Sequence, residues 1–280
     1  MAKLEYKDLL EAGVHFGHLT RKWDPRMASY IFMERNGIHI IDLNKSLSCL
    51  ELASNAIQQV VRTGRKVMFV ATKKQAKEVV STEAQRLNMP YVTERWLGGM
   101  LTNFATIRRS LKKMSGIDKM MKEESFQNMA KRERLMVSRE KAKLEKVLGG
   151  IADLTRLPAA LFIVDIKKEH IAVKEAQKLN IPVYGIVDTN SNPELVDFPI
   201  PGNDDAFKSI SVITKAIAQA IEDGLNERRK DKEDAKLKEE EAKKRQIDEQ
   251  GDSGEPAEVE VEAKAKAEPE PKPEAKEQTK

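Results

Sequence analysis

Two unbroken apolar runs, Lys66–Ala71 (KVMFVA) and Ala160–Asp165 (ALFIVD), dominate the hydrophobic pattern of the chain. Neither alternates with polar residues, as expected of central parallel strands covered on both faces. Each leads into a helical stretch that closes in nearly the same words. The first reads Glu83, Ala84, Gln85, Arg86, Leu87, Asn88, Met89, Pro90; the second, 92 residues on, reads Glu175, Ala176, Gln177, Lys178, Leu179, Asn180, Ile181, Pro182. In both, the Asn is expected to end the helix and the Pro to open a further strand, Tyr91–Thr93 and Val183–Val187. A duplicated strand–helix–strand unit of this kind builds a doubly wound α/β sheet.

The remaining pattern fills in around that spine. Leu4–Ala12 reads as an amphipathic helix ending at Gly13. Tyr30–Met33 and Ile38–Leu43 are β-rich runs flanking Asn36–Gly37, a dipeptide suited to the positive φ values of a type I′ turn. Asn44 is expected to cap a helix with apolar positions Leu47, Leu50, Ala53, Ile57 and Val61, stopped by Gly64. A last helix, Asp205–Asn226, carries the stripe Phe207, Ile210, Ile213, Ile217, Ala220 and Ile221. Between the two units, residues 104–148 read as an inserted antiparallel helical hairpin that starts at Thr102 or Asn103, turns near Glu124–Gln127 and ends at Gly149–Gly150. Its apolar positions Ile107, Leu111, Met114, Ile117 and Met121 are placed to meet Met129, Leu135, Leu144, Val147 and Leu148 in a coiled-coil seam, a packing role rather than a cofactor box. The expected organisation is therefore an α/β core from 1–103 and 149–227, the hairpin insertion 104–148, and a tail 228–280.

Charge sharpens this division. The hairpin holds thirteen Lys and Arg against six Asp and Glu, a net of +7 where the whole chain is +4. A localised basic surface is the electrostatic footprint of a nucleic-acid binder, although a solvated charged coiled coil reads the same way on charge alone. The tail has no aromatic residue and is rich in Lys, Glu, Ala and Pro. Such a segment cannot bury enough apolar area to offset its chain entropy, so disorder is expected, with helix at most to Arg245. A lone Cys49 excludes an intramolecular disulfide and fits a reducing compartment. The N-terminus lacks an apolar signal core and no run approaches a membrane span, so a cytoplasmic protein without membrane contact is expected.

Ligands of doubly wound sheets usually sit at the carboxyl ends of the strands. Here the first strand runs into Ala71, Thr72, Lys73 and Lys74 with no glycine, and neither a dinucleotide fingerprint nor a Walker-type loop occurs. Asp165, Asp188, Asp204 and Asp205 converge on that rim in sequence terms. They could hold a structural Mg ion, or Zn with His15 or His18, but the preferred reading has Asp188 and Asn190 shaping a turn and Asp204 or Asp205 capping the last helix. No cofactor is required. Nothing marks a paired base and nucleophile, so an enzyme using Asp165, Asp188 and Asp205 on a metal or small-molecule substrate stands only as the alternative, and a pure protein scaffold as a third reading. His39 and His170 stand alone.

Two segments resist ordinary packing. Gly13–Met27 (GVHFGHLTRKWDPRM) crowds two His with Arg21, Lys22, Trp23 and Arg26 in a stretch without periodicity, and Glu94–Phe104 (ERWLGGMLTNF) sets Arg95 and Trp96 before a Gly98–Gly99 joint. Basic residues interleaved with aromatics pair with phosphates and stack on unpaired bases. For either Trp core packing is the preferred expectation, and the neighbouring Arg and Lys side chains are the better RNA candidates. These two segments, with LEKVLGGI (Leu144–Ile151), IPVYGIVDTNSNP (Ile181–Pro193) and IPGNDDA (Ile200–Ala206), resemble the bacterial small-subunit ribosomal protein S-two family over residues 1 to about 227. The resemblance implies a flavodoxin-like five-stranded parallel sheet with a protruding coiled coil. It further implies a non-catalytic protein that binds small-subunit ribosomal RNA near the junction of head and body, among other ribosomal proteins, and helps recruit the large RNA-binding protein S-one. The residues expected to bind RNA are Arg21, Lys22, Trp23, Arg26, Arg95, Trp96 and Asn103, with Arg108, Arg109, Lys112 and Lys113 at the base of the arm; Trp96 and Asn103 are also expected to hold the joint that aims it. The long charged tail departs from the family pattern.

Overall fold

The two apolar runs pair side by side at the centre of the protein. The computed structural model describes residues 4–123, 126 and 128–251, with side chains described through 235. The chain divides into two units, Met1–Lys232 and Glu233–Lys280, and the first holds every described strand. Three short strands come first, β1 (Phe16–Leu19), β2 (Ile31–Arg35) and β3 (Ile38–Ile41), in an antiparallel sheet of order β1-β3-β2. The main sheet follows with β4 (Val67–Val70), β5 (Tyr91–Val92), β6 (Ala160–Val164), β7 (Val183–Val187) and β8 (Phe198–Pro201), all parallel in the order β5-β4-β6-β7-β8. Counted in chain order within that sheet, this is the flavodoxin order 2-1-3-4-5. Pro199 and Pro201 lie on edge strand β8, where a missing N–H costs no ladder bond.

Helices cover both faces, which is why the central strands read as unbroken apolar runs. One face of β4 and β6 presents Val67, Phe69, Ala160, Phe162 and Val164 to α2 (Leu43–Arg62), α3 (Lys74–Arg86) and α7 (Phe207–Gly251), with Phe69 and Phe162 meeting edge to face at 5.6 Å. The other face presents Met68, Val70, Leu161 and Ile163 to α4 (Phe104–Met120) and α6 (His170–Lys178). A short helix, α1 (Tyr6–Glu11), buries Leu9 on the first face. Each fully buried Ile or Phe in these layers stabilises the fold by about 2 kcal/mol.

The duplicated unit holds at its helix stops, although the second helix starts later, at His170 rather than at the counterpart of Lys74. Asn88 and Asn180 adopt left-handed φ of 57° and 52°. The next N–H after each, from Met89 and Ile181, reaches back to Ala84 and Ala176 at 2.9 and 3.0 Å, a matching helix stop. Asn36 (φ 53°) and Gly37 (φ 70°) form the expected turn. Other expectations need correction. Asp42, not Asn44, caps α2, its carboxylate accepting the Asn44 N–H at 3.0 Å. The aperiodic segment after Gly13 contributes β1, paired through Phe16 and Leu19 to β3 across a bulge that erases the alternation.

In the inserted region, α4 and α5 (Lys131–Leu148) are joined by Lys113–Glu140 and Lys141–Asp118 ion pairs. The expected seam is lopsided: Ile107, Leu111, Met114 and Ile117 are buried, whereas Leu135 is exposed, because α4 leans on the core cluster beneath the sheet. The turn expected at Glu124–Gln127 falls mostly outside the described residues. The last helix continues through Gly251, past Asn226 and six residues beyond the Arg245 to which helix was allowed; the disorder expected for 252–280 lies outside the described residues.

Candidate functional site

The order of the main sheet reverses between β4 and β6, and their carboxyl ends form the crevice in which such folds seat a ligand. Here the crevice is filled by the protein's own charges. Lys73, three residues past the end of β4, places Nζ 2.7 Å from Asp204, 2.7 Å from Asp205 and 3.2 Å from Asp165, which follows β6. His18 on β1 spans Asp188 (Nδ1, 3.0 Å) and Asp205 (Nε2, 3.3 Å), and its backbone N–H donates to Thr189 Oγ1 at 2.8 Å. The Asp188 carboxylate accepts the Thr189 N–H at 2.5 Å, so it does shape a turn. Neither Asp204 nor Asp205 caps the last helix; Asn203 Oδ1 accepts from the N–H groups of Asp205 and Ala206 in the turn that leads into it.

The electrostatics are those of a closed network. Burial pulls the Lys73 ammonium's pKa down, but Asp204 and Asp205 overcome this and raise it above the ordinary lysine value. Burial, with repulsion from Asp188 and Asp165, pushes the Asp204 carboxyl up to about 7. The hydrogen bond that His18 donates to Asp188 raises its pKa above the usual imidazole value against burial. Burial pushes Asp205 up, but Lys73 outweighs it and holds it low. One ligand atom each from His18, Asp188 and Asp204 lies within 4.8 Å of the others, and Asp204 Oδ2 is buried without a hydrogen-bond partner. These three residues could therefore hold a divalent ion. His15, the other histidine considered, is outside this cluster, its pKa lowered by burial. With four carboxylates against Lys73 and His18, the rim is acidic and unsuited to phosphate.

The expected RNA contacts lie elsewhere. Arg21 and Lys22 form an exposed single turn after β1, tied to the hairpin by the Thr20 N–H to Gly37 carbonyl bond of 3.0 Å. Trp23 is 39% exposed, tilted against the His39 ring at 5.2 Å, and Arg26 is paired with Glu194 at 3.3 Å. Arg95 is exposed. On α4 the side chains of Arg108, Arg109, Lys112 and Lys113 are exposed, and helical spacing turns them away from the buried stripe of Ile107, Leu111 and Met114. Of these four, Lys113 is engaged with Glu140; the others make no ion pair among the described residues.

Trp96 takes the core-packing role expected for it and not the RNA-binding one. It is 5% exposed and its indole N–H donates to Glu175 at 3.1 Å, so its ring has no free face for a base. Asn103 is exposed at the N-cap of α4, its Oδ1 accepting from the Thr106 hydroxyl rather than from backbone. Sequence reasoning missed Lys73 and Glu175. The only signal for Lys73 was a lysine directly after an apolar strand where a nucleotide site would need glycine.

The protein is of the doubly wound α/β class, with its strand-end crevice filled by its own ion pairs and an exposed basic face on α4. The sequence matches the family described as ribosomal protein S2 across residues 9–224, and the chain belongs to that family, a structural, non-enzymatic component of the small ribosomal subunit in the cytoplasm. It is 72% identical over 246 residues to the small ribosomal subunit protein uS2 of Cytophaga hutchinsonii, covering 88% of this chain and 97% of that one. The uS2 proteins of Flavobacterium psychrophilum (60% over 250 residues, 89% and 94% covered) and Flavobacterium johnsoniae (62% over 231 residues, 82% and 91% covered) are similar to it as well. No helix among the described residues is long and apolar enough to cross a membrane.

Proposed function

We propose that the chain binds small-subunit ribosomal RNA through the outer face of the arm's base and the exposed turn at Arg21–Arg26. The observation that carries this reading is the separation on α4 of a buried apolar stripe from an opposite face bearing Arg108, Arg109, Lys112 and Lys113. Such side chains meet phosphates and set orientation without reading sequence. The two helices act as a coiled-coil arm, and the site on the ribosome is the head–body junction that the resemblance implies.

Recruitment of the S-one protein fits a different surface. Cross-strand pairing aligns Phe16 and Met33 with Ile40, and Leu19 with Ile38, on the three-stranded sheet. Phe16, Met33 and Leu19 are exposed, and an apolar sheet face of this kind suits a protein partner better than a phosphate backbone. The rim is assigned a structural role, with Lys73 as its resident cation. A structural Mg or Zn ion on His18, Asp188 and Asp204 is the alternative, decided by metal analysis of the purified chain.

The test is replacement of Arg108, Arg109, Lys112 and Lys113 with Ala, followed by gradient sedimentation and RNA titration over a salt series. Subunit incorporation is expected to weaken, and the log–log salt slope to fall by about 0.7–0.9 for each phosphate that is no longer neutralised. Thermal stability is expected to hold, because these side chains are exposed. Unaltered incorporation removes the arm's base from the binding surface.

A further inference from the structure

We infer that Glu175 is the positioning residue that aims the basic arm, acting on RNA binding through the joint from which the arm leaves the core. The inference rests on the RNA-binding reading above. Glu175 stands on α6 among the buried Ala172, Val173 and Ala176, and is itself only 8% exposed. A carboxylate there is costly unless its oxygens are filled.

All its partners come from one short segment. Oε1 accepts from the Trp96 indole N–H (3.1 Å) and the Gly99 N–H (2.7 Å). Oε2 accepts from the N–H groups of Leu101 (2.9 Å) and Thr102 (3.1 Å) and from the Thr102 hydroxyl (3.2 Å). Burial pushes the carboxyl up, but these donors outweigh it and hold Glu175 below the usual glutamate value. Residues 96–102 belong to no helix or strand, turn at Gly99 with φ of 84°, and run directly into Asn103, the N-cap of α4. Their backbone donors have no strand or helix partner to define the direction of the chain. One side chain from another element supplies that direction.

The return root of the arm is closed differently. A Cβ at Gly150 would overlap the Tyr91 carbonyl, so backbone lies against backbone there. Glu94 links α3 to α5 through Lys77 (3.0 Å) and Lys146 (3.6 Å), but its side chain is 32% exposed and such pairs hold little. At the outgoing root, Met100 and Leu101 anchor the joint in the core and α4 packs on the same cluster, while Glu175 fixes the path of the backbone between them.

The test uses the full-length chain with Cys49→Ser and spin labels at Leu52→Cys on α2 and Leu135→Cys on α5, both exposed positions. Distances between labels are measured in the parent and in Glu175→Gln, Glu175→Ala and Glu83→Ala variants, and the same proteins are titrated with small-subunit ribosomal RNA. A narrow distribution is expected in the parent and in Glu83→Ala, broadened in Glu175→Gln and more so in Glu175→Ala. RNA affinity is expected to fall roughly tenfold in Glu175→Gln, within the range by which residues touching neither partner alter coupling. Should Glu175→Ala fail to fold, Thr102→Val and Trp96→Phe each remove one donor and leave the carboxylate in place. A distribution unchanged in every folded variant, or one that broadens without loss of RNA binding, overturns the inference. Failure of the parent itself to bind the RNA removes the RNA-binding reading instead, and the distances still decide whether Glu175 aims the arm.

Discussion

The chain contains the same strand–helix–strand unit twice, and the two copies agree in backbone at the strand pairing and the helix stop and disagree in what their polar side chains do. The Phe69 N–H to Pro90 carbonyl bond of 2.9 Å recurs 92 residues later as Leu161 to Pro182 at 3.0 Å, and the register Phe69↔Tyr91 recurs as Leu161↔Val183. At equivalent places the side chains diverge. Lys73 after the first strand corresponds to Asp165 after the second, and the two meet at 3.2 Å to help close the crevice. Glu83 corresponds to Glu175. Glu83 pairs with Arg86 on its own helix at 2.9 Å, whereas Glu175, with Lys178 in the equivalent place, turns to the arm's joint. Repetition of a sequence thus repeats the local geometry that neighbouring residues dictate. The use of a charged side chain is set by whatever the rest of the fold brings against it.

The comparison is broken most severely at Glu175. Glu175→Ala leaves a cluster of donors without their acceptor and is expected to cost about 3 kcal/mol or more in urea unfolding. Its pH dependence has a definite sign. The folded value lies below the unfolded one, so the contribution is complete above about pH 4.3 and is lost as pH falls through the folded value. The stability gap between parent and Glu175→Gln is accordingly expected to shrink on acidification below that point; a gap that widens there would contradict the depressed value.

Asn88→Ala and Asn180→Ala probe what the copies share. Each forces a left-handed φ on a residue with no side-chain compensation, and both are expected to lose about 1 kcal/mol, nearly equally, by thermal melting. Clearly unequal losses would show that the helix stops are not equivalent. Glu83→Ala is the smallest change, with an expected loss of about 0.5 kcal/mol, since it removes one intrahelical ion pair. A loss comparable to that of Glu175→Ala would erase the distinction between the copies.

How much of this was legible follows from the range of each interaction. The Asn–Pro stops and the Asn36–Gly37 turn were readable because steric limits on φ act within a few residues. Asp42 was passed over for Asn44 because both types cap helices and only the strand preceding them decides where the helix begins. β1 was unreadable because its bulge destroys the alternation. Trp96 was assigned to two opposite uses, since an indole before a Gly–Gly joint can stack outward or plug inward; burial beside Glu175 settles it inward.

The sequence by itself determined the duplicated unit, the parallel sheet and the inserted basic helices, because periodicity, local sterics and charge composition are written in neighbouring residues; membership of the ribosomal protein S2 family rests instead on its match to that family's sequences. Only the tertiary structure decided that Lys73 closes the ligand crevice, that His18 joins it from a separate sheet, and that Glu175 reaches the joint of the arm. Those interactions link residues 73 to 187 positions apart. Whether a buried charge finds its partners there depends on how helices and strands pack, and no local pattern of residues carries that information.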